Sequence, residues 1–180
     1  MRCADISASC RFYSLLGYTV ERRFRSGAAR AAWLGTAAGS SRLELIEVPS
    51  YSPSCRAVDL DADREILGLH HLAIDVTAQC ANEAEAEAGG DSGLTGWLQG
   101  LNARSEATFK RSVKLVRPPY QLMAGNEVFE VAFVRDPSGA LVELLNLQRV
   151  LDRPHEDEWT DDAPRERERP AEEVPECEAR

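Results

Sequence analysis

The feature that most constrains the fold is a repeat of long period. Residues 5–16, "DISASCRFYSLL", read as a helix, and three short strand patterns follow it: "YTVERRF", "RAAWLG" and "RLELIEV". The second half reads as a strand, "GLHHLAIDVT", a helix, "LTGWLQGLNAR", and again three strands: "VKLVRPPYQLM", "VFEVAFVRD" and "ALVELLNLQ". The two halves share one order, except that the first has only four residues ahead of its helix. A duplicated unit of this kind outweighs any single motif, because it fixes how the pieces must stack. Both units close on a strand that places a glutamate, Glu44 or Glu143, before a leucine in an otherwise apolar run.

Local signals agree with this division. Asp5 is a good N-cap residue. Ile6, Ser9, Cys10, Tyr13 and Leu16 follow helical spacing, with Phe12 beside the stripe, and Gly17 is placed to end the helix as a C′ glycine. Phe129, Val131 and Phe133 alternate against Glu130, Ala132 and Val134, as a strand requires. "DPSG" at 136–139 is a turn. Residues 78–93, "AQCANEAEAEAGGDSG", read as a polar loop, and Pro118–Pro119 is expected to end its strand.

The units map to 1–49 and 68–149, joined by a polar surface linker at 50–67 that carries clustered acids. Residues 150–180 are set apart by charge. From 151 to 180 there are twelve Asp/Glu against five Lys/Arg, a net of −7; the other 150 residues hold eighteen acids and sixteen bases, a net of −2. With four prolines and few apolar residues, this acidic tail cannot offset its ordering entropy and is expected to be disordered. Nothing offers the clustered basic face that nucleic acid requires. No run approaches the roughly 18 apolar residues of a membrane span. The five cysteines are odd in number and lack C-x-x-C spacing. They read as free thiols in a reducing, intracellular compartment, cytoplasm or organelle.

A carboxylate inside a buried strand costs several kcal/mol unless it is paired or bound to a metal. Glu143 in "ALVELLNLQ" raises that problem, and Glu44 in "RLELIEV" repeats it. Two adjacent histidines, His70 and His71, open a third apolar strand. Neighbouring strand residues face opposite ways, so one imidazole can join the carboxylates and the other cannot. One His and two Glu from three strands form an N/O donor set suited to Zn²⁺, Mn²⁺, Ni²⁺ or Fe²⁺. The bland alternatives are a hydrogen-bonded core histidine and solvated edge glutamates.

Taken together, "CRFYSLLGYTV", "LELIEVP", "HHLAIDVT" and "DPSGALVELL" resemble the vicinal oxygen chelate superfamily, which includes glyoxalase I, the bleomycin and fosfomycin resistance proteins and extradiol dioxygenases. The resemblance covers about residues 4–147. It implies an α+β fold of two βαβββ modules around a half-open barrel, with most of the first module's first strand missing. It places metal ligands on the first and last strands of each module: here Glu44, His71 and Glu143, with His70 turned outward. The first module's first-strand ligand has no counterpart in this sequence, so a homodimer or a partner chain is an expected way to complete that module.

The activity this implies is a glyoxalase I-like, metal-dependent lyase or isomerase. Its substrate would be a small α-oxo or thiol-conjugated molecule, passing through a metal-stabilised enediolate with Glu143 as the base. A catalytically silent member that binds a small ligand or serves a larger assembly is the alternative. An Fe(II) dioxygenase ranks third, because these positions supply one histidine where that site uses two.

Overall fold

The computed structural model describes residues 1–37, 39, 42–47, 59–62, 68–86 and 93–153. Its first half carries β1 (Arg2–Cys3), α1 (Ile6–Leu15), β2 (Thr19–Ser26), β3 (Ala29–Gly35) and β4 (Arg42–Glu47). The second half carries β5 (Leu72–Asp75), α2 (Thr77–Ala86), α3 (Leu94–Phe109), β6 (Lys114–Ala124), β7 (Glu127–Arg135) and β8 (Leu141–Val150). Each half builds a four-stranded sheet, in the orders β1-β4-β3-β2 and β5-β8-β7-β6. In each sheet the first strand lies parallel to the last and the other pairs are antiparallel. Two βαβββ modules in an α+β fold account for this topology. Most of the linker and residues 154–180 of the tail lie outside the described residues.

Helix α1 starts and stops where its side chains dictate. Asp5 Oδ1 accepts from the amides of Ser7 and Ala8 at 2.8 and 3.0 Å. At the other end Gly17 takes φ 87°, and the amides of Gly17 and Tyr18 return to the carbonyls of Ser14 and Tyr13. That is a Schellman closure, in which a glycine avoids the Cβ clash of the left-handed region.

The first strand is short, as expected: Arg2 and Cys3 pair with Ile46 and Glu47, and Met1 extends the contact to Glu44 and Ile46. Two features depart from the sequence reading. Helix α2 covers residues 77–86, where the pattern gives the end of a strand at Thr77 and a loop from 78. Their Ala, Gln and Glu content favours helix on propensity alone, without the apolar stripe that marks a packed helix. Strand β6 runs through Pro118 and Pro119 with register shifts on either side of Arg117. An edge strand tolerates proline, since the missing N–H faces no partner.

One apolar cluster joins the halves. Tyr13 and Leu16 of α1 and Leu34 and Leu45 of the first sheet pack in the same cluster as Leu101 of α3 and Leu144 of β8. Between the halves, the Tyr13 hydroxyl donates to Asp136 Oδ2 at 3.4 Å. Asp136 sits in the DPSG turn, 4% exposed, and its Oδ1 accepts from the amides of Ser138 and Ala140. Burial pushes the Asp136 carboxyl above the ordinary range, against the pull of those amides. Its ionisation therefore costs the folded state stability. The cost is absent below the unfolded pKa and grows as pH rises through the folded one. Asp136→Asn keeps an acceptor without the charge. Urea unfolding should show the variant gaining on the parent between pH 4 and pH 7; a gap that closes as pH rises would contradict this placement.

Candidate functional site

The two-residue period of β8 sends its side chains to opposite faces. Val142 and Leu144 join the helix-covered core, whereas Leu141 and Leu145 join a second cluster with Val131 and Phe133 of β7. No helix residue contributes to this second cluster, so it marks the helix-free face of the second sheet. Glu143, between Val142 and Leu144, shares that face.

There Glu143 meets His71. The separation between His71 Nε2 and Glu143 Oε2 is 3.0 Å, with the side chains 33% and 12% exposed. The register explains the meeting: Ala73 of β5 lies beside Glu143, so a residue just ahead of β5 reaches the same face. The His71 ring stands edge-on to Phe133, centroids 5.5 Å apart. Phe133 is also the cross-strand neighbour of Glu143.

His70 is the residue expected to turn outward, against a loop or solvent. It is half-buried, its Nδ1 lies 2.9 Å from His71 Nδ1, and its Nε2 is shielded from solvent without a hydrogen-bond partner among the described residues. One of the two Nδ1 atoms must donate and the other accept, an assignment set by the bonding network.

Glu44 occupies the matching position of the first sheet, since Trp33 pairs with Glu44 as Phe133 pairs with Glu143. Its surroundings differ. Trp33 Nε1 donates to Glu44 Oε1 at 2.9 Å, and the indole is flanked by the guanidinium groups of Arg22 and Arg42. The structure thus brings His71 and Glu143 together and leaves Glu44 in a separate aromatic and cationic setting. Among the described residues, no three His, Cys, Asp or Glu side chains gather as a metal-binding group.

His71 and Glu143 nonetheless fit a divalent ion as two of its ligands. Donors bound at 2.0–2.2 Å lie roughly 2.8–3.6 Å apart for ligand angles between about 90° and 110°, so the 3.0 Å separation, itself a direct hydrogen-bond distance, needs little change to admit an ion. A metal on Nε2 would leave the Nδ1 proton to face His70 Nδ1, which can accept it, where ligating histidines more often use a carboxylate, a carbonyl or water. Glu44 would have to leave Trp33 to join them.

Sequence reasoning missed two contributors. Leu60, within the expected surface linker, packs against the helix-free cluster. Its turn is held by Asp59 Oδ1, which accepts from the amides of Asp61 and Ala62, and by Arg117, which grips both oxygens of Asp61. The Asp59–Asp61 spacing is a turn signal that could have found it. Phe133 was legible as a strand residue but not as the wall beside the pair.

No protein-family model matches the chain, and no curated protein matches it. Among solved structures it is similar to a glyoxalase family protein from Bacillus cereus (16% identity, 83% of this chain and 91% of that one, TM-score 0.55). A glyoxylase/bleomycin resistance protein/dioxygenase domain from Frankia sp. aligns at 19% identity over 82% and 92% of the two chains, TM-score 0.50. A glyoxalase I mutant from Zea mays aligns at 18% identity over 83% of this chain and 42% of that one, TM-score 0.52. These likenesses give the architecture: the chain has the vicinal oxygen chelate fold.

Proposed function

We propose that this chain is a glyoxalase I-like lyase or isomerase acting on a small α-oxo or thiol-conjugated substrate. On this reading His71 and Glu143 hold a divalent ion of Zn, Ni, Mn or Fe, with Glu44 as the ligand from the other module. The observation that carries the proposal is the His71–Glu143 pair on an apolar, helix-free sheet face. When bound, the metal supplies Lewis-acid polarisation of a substrate carbonyl. Glu143 takes the proton from the carbon beside that carbonyl and returns it to the former carbonyl carbon, while the hydroxyl proton passes to the former carbonyl oxygen, so the isomerisation is redox-neutral. Phe133, edge-on to His71 and across the ladder from Glu143, fixes the imidazole ring and helps shield the carboxylate from water.

The test is turnover of methylglyoxal with glutathione by protein loaded with Ni²⁺ or Zn²⁺. Turnover that chelator abolishes and metal restores supports the proposal; a folded, metal-loaded protein inert to this and related α-oxo thioesters or hemithioacetals overturns it. A second reading, a silent binder of a small apolar ligand, is favoured by one observation: Leu60 lies against the face where a substrate would sit.

Two further elements belong to the proposal. A second copy or partner chain would extend the β4 edge beyond the part that Met1 and β1 cover. A reducing, intracellular setting suits the buried thiols of Cys3 and Cys10. Among the described residues, no helix is long and apolar enough to cross a membrane.

A further inference from the structure

On the helix side of the first sheet, a cavity of about 630 Å³ opens between α1 and β2. Four arginines line it: Arg11 from α1, Arg23 and Arg25 from β2, and Arg30 from β3. Ile6 and Val20 give it an apolar floor, and no Asp or Glu is among its lining residues. In a chain of formal net charge −9, this concentration of one sign stands out. Arg30 is paired with Glu47, and Arg11 lies over the Phe109 ring with Asp5 near enough to feel its charge. Arg23 meets the Cys10 thiol, whose pKa burial pushes up against the pull of that guanidinium. Arg23 and Arg25 have no carboxylate partner among the described residues. Strand β2 is also the outer strand of its sheet, so one side of its backbone is unpaired. An edge strand of this kind takes up extended peptide.

We propose that this groove docks an acidic segment of the chain's own C-terminal tail, within residues 156–178. Charge complementarity names the occupant. The body is nearly neutral, and the tail carries the twelve carboxylates that leave its thirty residues at −7. Reach does not limit it. Cys177 lies 24 residues beyond Arg153, up to about 80 Å of extended chain, against a body of roughly 40 Å across for this length. A segment unable to build its own core can still be held by charge and by strand pairing.

The test uses the full chain with Cys55→Ser, spin-labelled at Cys177; Cys3, Cys10 and Cys80 are buried. At low salt, amide signals of residues 7–14 and 19–26 should broaden. The broadening should fall at least about threefold in 0.5 M NaCl and in Arg23→Gln/Arg25→Gln. Neutralising the tail instead, with Glu172→Gln/Glu173→Gln/Glu176→Gln, should have the same effect without altering the body. Broadening in an isotope-labelled, spin-free chain mixed with labelled chain would mean that a second copy delivers the segment, and would overturn docking within one chain. Broadening that is absent, lies elsewhere on the body, or is equal in parent and charge variants overturns the proposal. So does a response of residues 19–26 to added citrate with no contact from the label, which would make a free anion the occupant.

Discussion

Glu143→Gln should lower turnover by about two to four orders of magnitude, the range for loss of a positioned general base, while leaving the melting temperature nearly unchanged. Gln can still accept from His71 through its carbonyl, so the folded contact survives. What is lost is a charged ligand and a proton acceptor. Metal occupancy should fall at least about tenfold, and His71→Ala should match it. Elemental analysis of the purified variants reads the metal occupancy, and single-turnover kinetics the turnover. Equal occupancy and turnover in parent and variants would remove the pair from the site.

The neighbouring position gives the opposite result. Leu144 is fully buried in the cluster shared by both halves, one residue from Glu143 but on the other face of β8. Leu144→Ala should cost about 3–5 kcal/mol, a large part of the 5–15 kcal/mol that holds a domain together. His71 and Glu143, on the other face, would be left in place. Because Leu34 and Leu45 of the first sheet belong to the same cluster, the loss should appear as one shifted transition in urea rather than as separate melting of the second half. A biphasic curve, or a shift below about 1 kcal/mol, would show that the halves do not share this core.

The fold was legible because the repeat is written in strand and helix periods. Val131 and Phe133 against Ala132 and Val134 separate the two faces of β7 by alternation alone. Asp5 and Gly17 mark the limits of α1 through local backbone chemistry. The pairing of His71 with Glu143 was legible only through the resemblance, since no spacing rule links residues 71 and 143.

Other features were hidden for physical reasons. Helix α2 lacks an apolar stripe, so periodicity passes over it. The prolines of β6 end a strand in most contexts, and only its edge position, a tertiary fact, lets it continue. The environment of Glu44 depends on Trp33 across the ladder, a register that a single strand cannot state.

The most direct test of the functional centre is the imidazole ¹⁵N spectrum of the full chain as Zn²⁺ is added. The sequence holds three histidines, His70, His71 and His155. The His71 Nε2 resonance should shift and saturate at one equivalent, His155 should stay in place, and Glu143→Gln should weaken the response at least about tenfold. A His71 resonance unmoved by stoichiometric Zn²⁺, or the same response in Glu143→Gln, would contradict the assignment of this sheet face as the metal-binding centre.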